Sequence, residues 1–209
     1  MTPKSIRSIF TVSFLFILVS TLIPTASVHA LTSHFRSVSR LPLLDEFVSQ
    51  VKNGQADELR GVYIPETLAA LVVRQPAGKE EYVSPRQNIM TQFGLASKLG
   101  STGLLAHNNL AGKHLSLLQE GQKFYLVYGD GRVAVFVVTE ILQYQALNPA
   151  STSSNLVDLE TGGVLKASEL FSKVYDKPGN VIFQTCISAY EIINWGRLFV
   201  IAEPYSHKR

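Results

Sequence analysis

Three residues of this chain have side chains suited to acyl-transfer chemistry, and each sits where an apolar run ends or begins. Cys186, the only cysteine, closes the β-like run Val181-Ile182-Phe183-Gln184-Thr185-Cys186. Arg197 opens a second run, Leu198-Phe199-Val200-Ile201-Ala202. His107 ends a shorter one, Gly103-Leu104-Leu105-Ala106. A thiol becomes a nucleophile when a nearby cation or base favours its thiolate. A fixed guanidinium offers N–H donors to the oxyanion of a tetrahedral intermediate. An imidazole moves protons near neutral pH. Strand ends held by a scaffold are where reactive groups meet solvent.

Each of the three also has a plainer reading. A lone cysteine makes no internal disulfide, so Cys186 is an inert buried thiol, an intermolecular bridge or a nucleophile. Arg197 reads equally as a strand-end arginine with its head in water, and His107 as a structural histidine. The other histidines carry less. His29 and His34 lie in or near an N-terminal leader, His114 sits in a helical stretch beside Lys113, and His207 is in a polar tail.

The 209 residues, 46% hydrophobic and 17% charged, fit one ordinary domain plus extras. The net charge of +3 is spread without a dense Lys/Arg cluster or Arg/aromatic interleaving, which speaks against a nucleic-acid partner. Lys4 and Arg7, the apolar stretch Ile9 to Ile23, Pro24 and the small residues around Val28-His29-Ala30 form a secretory signal pattern over residues 1–30. The alternative is an uncleaved anchor, although the apolar run is short for a full span. Either way the domain is expected outside the cytoplasm, secreted or membrane-associated.

The elements that must position the three residues follow in order. Residues 31–60 read as a Ser-rich linker followed by one short amphipathic helix, with Leu43, Leu44, Phe47, Val48 and Val51 at helical spacing. From Gly61 to Tyr205 the period becomes that of strands. Gly61 to Pro65 and Leu68 to Arg74 are short strands, and Gln75 to Gln87 is a loop. Phe93 to Leu99 is a short helix with Gly100 at its end. Leu110 to Glu120 is a helical turn or two. Lys123 to Tyr128, Gly129-Asp130-Gly131 and Arg132 to Tyr144 are a hairpin, with both faces of Val133 to Thr139 expected to be buried. A short strand at Leu156 and a helix over Lys166 to Tyr175 precede the strong turn Asp176-Lys177-Pro178-Gly179-Asn180. Two strands joined by a loop then carry Cys186, as the last residue before that loop, and Arg197. Many short strands without regular βα alternation give a mostly β barrel or sandwich.

Taken together, the pattern resembles the sortases, the cysteine transpeptidases of bacterial cell surfaces. The likeness rests on Leu104-Leu105-Ala106-His107-Asn108, the Gly129-Asp130-Gly131 turn, Ile182-Phe183-Gln184-Thr185-Cys186 and Gly196-Arg197-Leu198-Phe199-Val200, and spans roughly Gly61 to Pro204. It departs from the family where Ala106 replaces a common Gly and where Ile182-Phe183 replace Thr-Leu. The resemblance implies an eight-stranded β-barrel with short helices. It implies that Cys186 attacks a backbone carbonyl of a sorting-signal peptide, that His107 is general acid and then base, and that Arg197 stabilises the oxyanion. The acceptor would be an amine of a cell-wall peptide or a pilin lysine, or water. No cofactor is implied. Some sortases use calcium, but Glu66, Asp158 and Glu160 form no recognisable calcium loop. The rival readings are a non-enzymatic extracytoplasmic β-domain that binds a peptide or cell-wall component, and a hydrolase built on the same site.

Overall fold

The structure is a computed structural model that describes residues 40–206. The leader pattern, the start of the linker and His207 lie outside the described residues. Among the described residues no helix is long and apolar enough to cross a membrane.

The strands are β1 (Leu59–Ile64), β2 (Leu68–Arg74), β3 (Ile89–Phe93), β4 (Thr102–Leu105), β5 (Lys123–Tyr128), β6 (Val133–Ala146), β7 (Leu156–Asp158), β8 (Val164–Leu165), β9 (Val181–Ala189) and β10 (Ile192–Pro204). The helices are α1 (Leu44–Val51), α2 (Gly94–Lys98) and α3 (Ala167–Tyr175), with a 3-10 turn over Ala111–Leu117. The sheet runs β10-β9-β4-β3-β2-β1-β5-β6, and β6 pairs back onto β10. This closes eight strands into a barrel and leaves none of them with a bare edge. β7 and β8 extend the sheet outward from β6. The mostly β barrel expected from the sequence is therefore the observed architecture.

Side chains alternate across each strand, so one residue in two fills the barrel. Val181 and Phe183 of β9 pack inside with Leu104, Phe124, Leu198 and Val200. Phe124 and Phe183 meet edge to face, 4.9 Å between centroids. The alternate residues Ile182, Phe199 and Ile201 face outward, where α3 covers them with Leu170, Val174 and Tyr175. Burial on both faces explains the uninterrupted apolar runs of β9 and β10. Helix α1 covers another part of the wall, its Phe47 and Val51 packing on Tyr63 and Val127. The Phe47 ring lies so close over Gly61 that a Cβ there would fall 2.6 Å from it.

Three expectations need correction. β9 does not stop at Cys186 but continues to Ala189, and β10 starts at Ile192, so Arg197 lies inside its strand rather than opening it. The strands are joined by a tight turn in which Tyr190 (φ 51°) and Glu191 (φ 62°) both take the left-handed conformation. That turn type is normally announced by Gly, Asn or Asp, so its sequence reads as a loop. The first half of β6 is not buried on both faces: Phe136 and Val138 are buried, while Val133, Val135 and Val137 are half-buried.

Outside the barrel, Asp158 at the end of β7 ties that strand to α3. Its carboxylate accepts hydrogen bonds from the N–H groups of Glu160 (2.9 Å) and Thr161 (3.2 Å) and lies 3.7 Å from the Lys173 ammonium. Lys173 also donates to the Tyr144 hydroxyl at 2.9 Å. Burial pushes the Asp158 pKa up, but the two N–H donors and Lys173 outweigh it and hold the carboxyl below its usual range. In acid the unfolded chain therefore binds this proton before the folded one does, and the stabilisation present above about pH 4 is lost as pH falls through the depressed folded value. Asp158→Asn is expected to lower the urea midpoint at neutral pH and to flatten its decline below about pH 4. An unchanged acid limb would refute this account. Phe183→Ala, a cavity at the centre of the barrel, should cost about 3–5 kcal/mol in equilibrium unfolding.

Candidate active site

The register of the barrel brings the three sequence-predicted residues together. In the antiparallel pair β9–β10, Cys186 lies directly opposite Arg197. Directly opposed residues share a face, with Cβ atoms about 4.5–5.5 Å apart. β4 runs parallel to β9 on its other side, with Leu105 opposite Gln184. The pairing continues one step past the strand, where the Ala106 N–H donates to the Gln184 carbonyl at 3.1 Å. His107 follows, beside Cys186. All three line one open cleft of ≈ 550 Å³.

The cleft is the part of the outer β9–β10 face that α3 leaves uncovered. Phe93, Leu105, Leu170, Phe171 and Phe199 give it an apolar wall, while Glu80 and Glu81 of the β2–β3 connection and Ser151 and Thr152 of the β6–β7 connection lie at its borders. Phe93, Phe171 and Tyr175 pack as an aromatic cluster with centroids 5.1–6.1 Å apart. Tyr175 is fully buried, and burial pushes its phenol far above the ordinary range. It therefore stays neutral and donates to the Gln184 side-chain carbonyl, which fixes that amide next to the thiol.

Cys186 and Arg197 are half-buried and His107 is exposed. The Arg197 guanidinium donates through Nη1 to the carbonyls of Asn194 (3.0 Å) and Gly196 (2.9 Å). These carbonyls are presented by an irregularity in the β9–β10 register between Ile192 and Gly196. Glycine is required at position 196 because a Cβ would collide with the Tyr144 carbonyl of β6. Arg197 makes no ion pair among the described residues. Only Nη1 has hydrogen-bond partners among the described residues.

Two positioning features carry no signal that the sequence reading used. The His107 carbonyl accepts the N–H groups of Leu110 and Gly112, each at 3.0 Å, which folds the chain into the 3-10 turn. The next side chain, Asn108, donates to the Ser188 hydroxyl (2.7 Å) and to the Ile193 carbonyl (3.0 Å), and Ser188 donates to that same carbonyl. Asn108 thus clamps the histidine corner to the β9–β10 hairpin. The second feature is Thr185. It points into the barrel, is 4% exposed, and its hydroxyl has no hydrogen-bond partner.

Among the described residues no three His, Cys, Asp or Glu side chains gather to hold a metal. Asp158, the buried member of the acidic set weighed for calcium, already has its carboxylate filled by two N–H groups and Lys173.

No protein-family model matches the sequence, and no curated protein matches it. Among solved structures, the chain is similar to sortase C1 from Streptococcus suis, with 16% identity, 78% of this chain and 79% of that chain covered, and a TM-score of 0.48. It is similar to sortase C-1 from Actinomyces oris, with 15% identity, coverage of 81% and 84%, and a TM-score of 0.48. It is also similar to a Clostridium perfringens sortase C solved with the C-terminal cell wall sorting motif, with 16% identity, coverage of 78% and 84%, and a TM-score of 0.43. What this chain is similar to in known structures is thus the sortases, at the level of the backbone.

Proposed function

We propose that this protein is a sortase-type cysteine transpeptidase working outside the cytoplasm. It cleaves a sorting-signal peptide of a surface protein and joins the released carbonyl to an amine, from a cell-wall peptide or a pilin lysine. The observation that carries this reading is the cross-strand pair Cys186–Arg197 with His107 at the adjoining strand end, all on one cleft. The apolar wall of that cleft suits an extended peptide. The leader pattern of residues 1–30 supplies the export signal or a membrane tether.

The chemistry follows from the positions. The Cys186 thiolate attacks a backbone carbonyl of the peptide. Negative charge develops on that oxygen, and the free N–H groups of Arg197 stabilise it. His107 protonates the departing amine, leaving a thioester on Cys186. The incoming amine attacks the thioester carbonyl, gives its proton to His107 and expels the thiolate. Water at this step yields hydrolysis instead. No step calls for a metal or an organic cofactor.

Mass spectrometry of the protein incubated with a library of sorting-type peptides and a small amine tests the reading. A peptide adduct on Cys186 together with a peptide–amine product is expected. Cys186→Ala should abolish both while its circular dichroism stays that of the parent. Adduct with free carboxylate alone would make the protein a hydrolase. Full activity in Cys186→Ala, or no adduct on a thiol that also resists alkylation, would sink the assignment. Arg197→Lys should lower kcat/KM about 10²–10³-fold, because one point charge replaces an anchored fork of donors. Its Cys186 should still be alkylated.

A further inference from the structure

Cys186 stands between two clefts, and the second has no role in the chemistry described so far. It measures ≈ 330 Å³ and lies at the barrel mouth between the 3-10 turn and the sheet. Gly112, Lys113 and Ser116 of the 3-10 turn and Gln143 of β6 border it, and it shares Thr185 and Cys186 with the large cleft. We propose that this cleft binds a carboxylate carried by the amine that resolves the thioester, with Lys113 as the recognising cation. The inference rests on the transpeptidase reading and names the chemical class of its second substrate.

Two observations converge on it. First, the charge is one-sided. Glu80 and Glu81 border the large cleft, whereas no acidic residue borders the small one. Lys113 is exposed and makes no ion pair among the described residues. An ammonium among hydroxyl and amide groups favours a carboxylate. Second, Thr185 lines this cleft with a buried hydroxyl that lacks a partner. A buried unpaired hydroxyl is costly, and a polar ligand is one way to satisfy it. The close approach of the 3-10 turn to that hydroxyl requires glycine at position 112. A Cβ there would fall 2.6 Å from the His107 carbonyl and would collide with the Thr185 hydroxyl.

The topology supplies the direction of attack. With the peptide in the apolar cleft, the nucleophile reaches the thioester from the other side of Cys186. The amine nitrogen bonds to the thioester carbonyl carbon, the C–S bond breaks, the electron pair returns to Cys186 sulfur, and the amine proton passes to His107. An acceptor whose carboxylate sits on Lys113 enters through the cleft that Cys186 itself borders.

The test compares Gly-Gly with Gly-Gly-amide as acceptors, matched in free-amine concentration, so that they differ in the carboxylate. Gly-Gly is expected to reach half-maximal aminolysis at about 3–10-fold lower concentration. The preference should vanish in Lys113→Gln and return in Lys113→Arg. No preference in the parent, or one that survives in Lys113→Gln, overturns the proposal. A second measurement does not depend on catalysis. N-acetylglycine, which has the carboxylate but no amine, is titrated into isotopically labelled protein. Backbone amide shifts at Gly112, Lys113 and Thr185 that disappear in Lys113→Gln support the site. Absence of those shifts overturns it. Shifts without any thioester chemistry would sink the transpeptidase reading and leave the carboxylate site standing.

Discussion

β10 pairs along one edge with β9 and along the other with β6, and the rest of the molecule depends on that double pairing. It closes the barrel, and it also fixes which residue of each adjacent pair points in. Val181, Phe183, Leu198 and Val200 fill the interior. The alternation then leaves Thr185 inside and Cys186 outside. A slip of one residue would turn the thiol into the barrel and Phe183 out of it. The packing of large apolar side chains therefore holds Cys186 on the face of the cleft. Cys186 and Arg197 meet because they share a register position, and neither needs a local interaction to bring it there.

The cleft is what remains when cover runs out. Helix α3 lays Leu170, Val174 and Tyr175 over Ile182, Phe199 and Ile201. Its coverage ends at Gln184, where the Tyr175 hydroxyl reaches the side-chain amide. Beyond that point the outer sheet face is open, and the next outward residues are Cys186 and Arg197. The aromatic cluster of Phe93, Phe171 and Tyr175 serves both ends of this arrangement. It anchors the helix on the barrel and forms the apolar wall of the cleft. The side chains that anchor the helix are thus also those that shape the cleft.

What the sequence disclosed and what it hid divide along physical lines. Strands buried on both faces read as unbroken apolar runs, so β9 and the interior of β10 were legible, as was the amphipathic α1. The three site residues were legible by type, because a lone thiol, an imidazole and a guanidinium at the borders of apolar runs are each unusual. The β9–β10 connection was not, because its left-handed turn is made by Tyr190 and Glu191 without the glycine or asparagine that normally marks one. The irregularity before Gly196 was hidden for a related reason. It ends where Gly196 passes close to the Tyr144 carbonyl, a contact between residues far apart in the chain. The Asn108 clamp and the unpartnered Thr185 hydroxyl are likewise tertiary facts. A single asparagine or threonine in a sequence says nothing about who will sit beside it.

The unequal restraint of the three groups matches the unequal tasks proposed for them. Arg197 is half-buried, sits within a strand and is anchored through one nitrogen to two carbonyls. A group that stabilises developing charge works best when it need not reorganise during the reaction. Cys186 is held to its face by the barrel register, as a nucleophile that must approach one carbonyl requires. His107 differs in that its backbone is fixed by the 3-10 turn while its ring is exposed. A proton carrier that first gives to a leaving amine and then takes from an incoming one must serve two positions in succession. A fixed root with an exposed ring allows that, whereas a ring locked by a buried partner would favour one position over the other. In the proposed mechanism the fold thus lends rigidity to charge stabilisation and to the nucleophile, and leaves freedom to proton transfer.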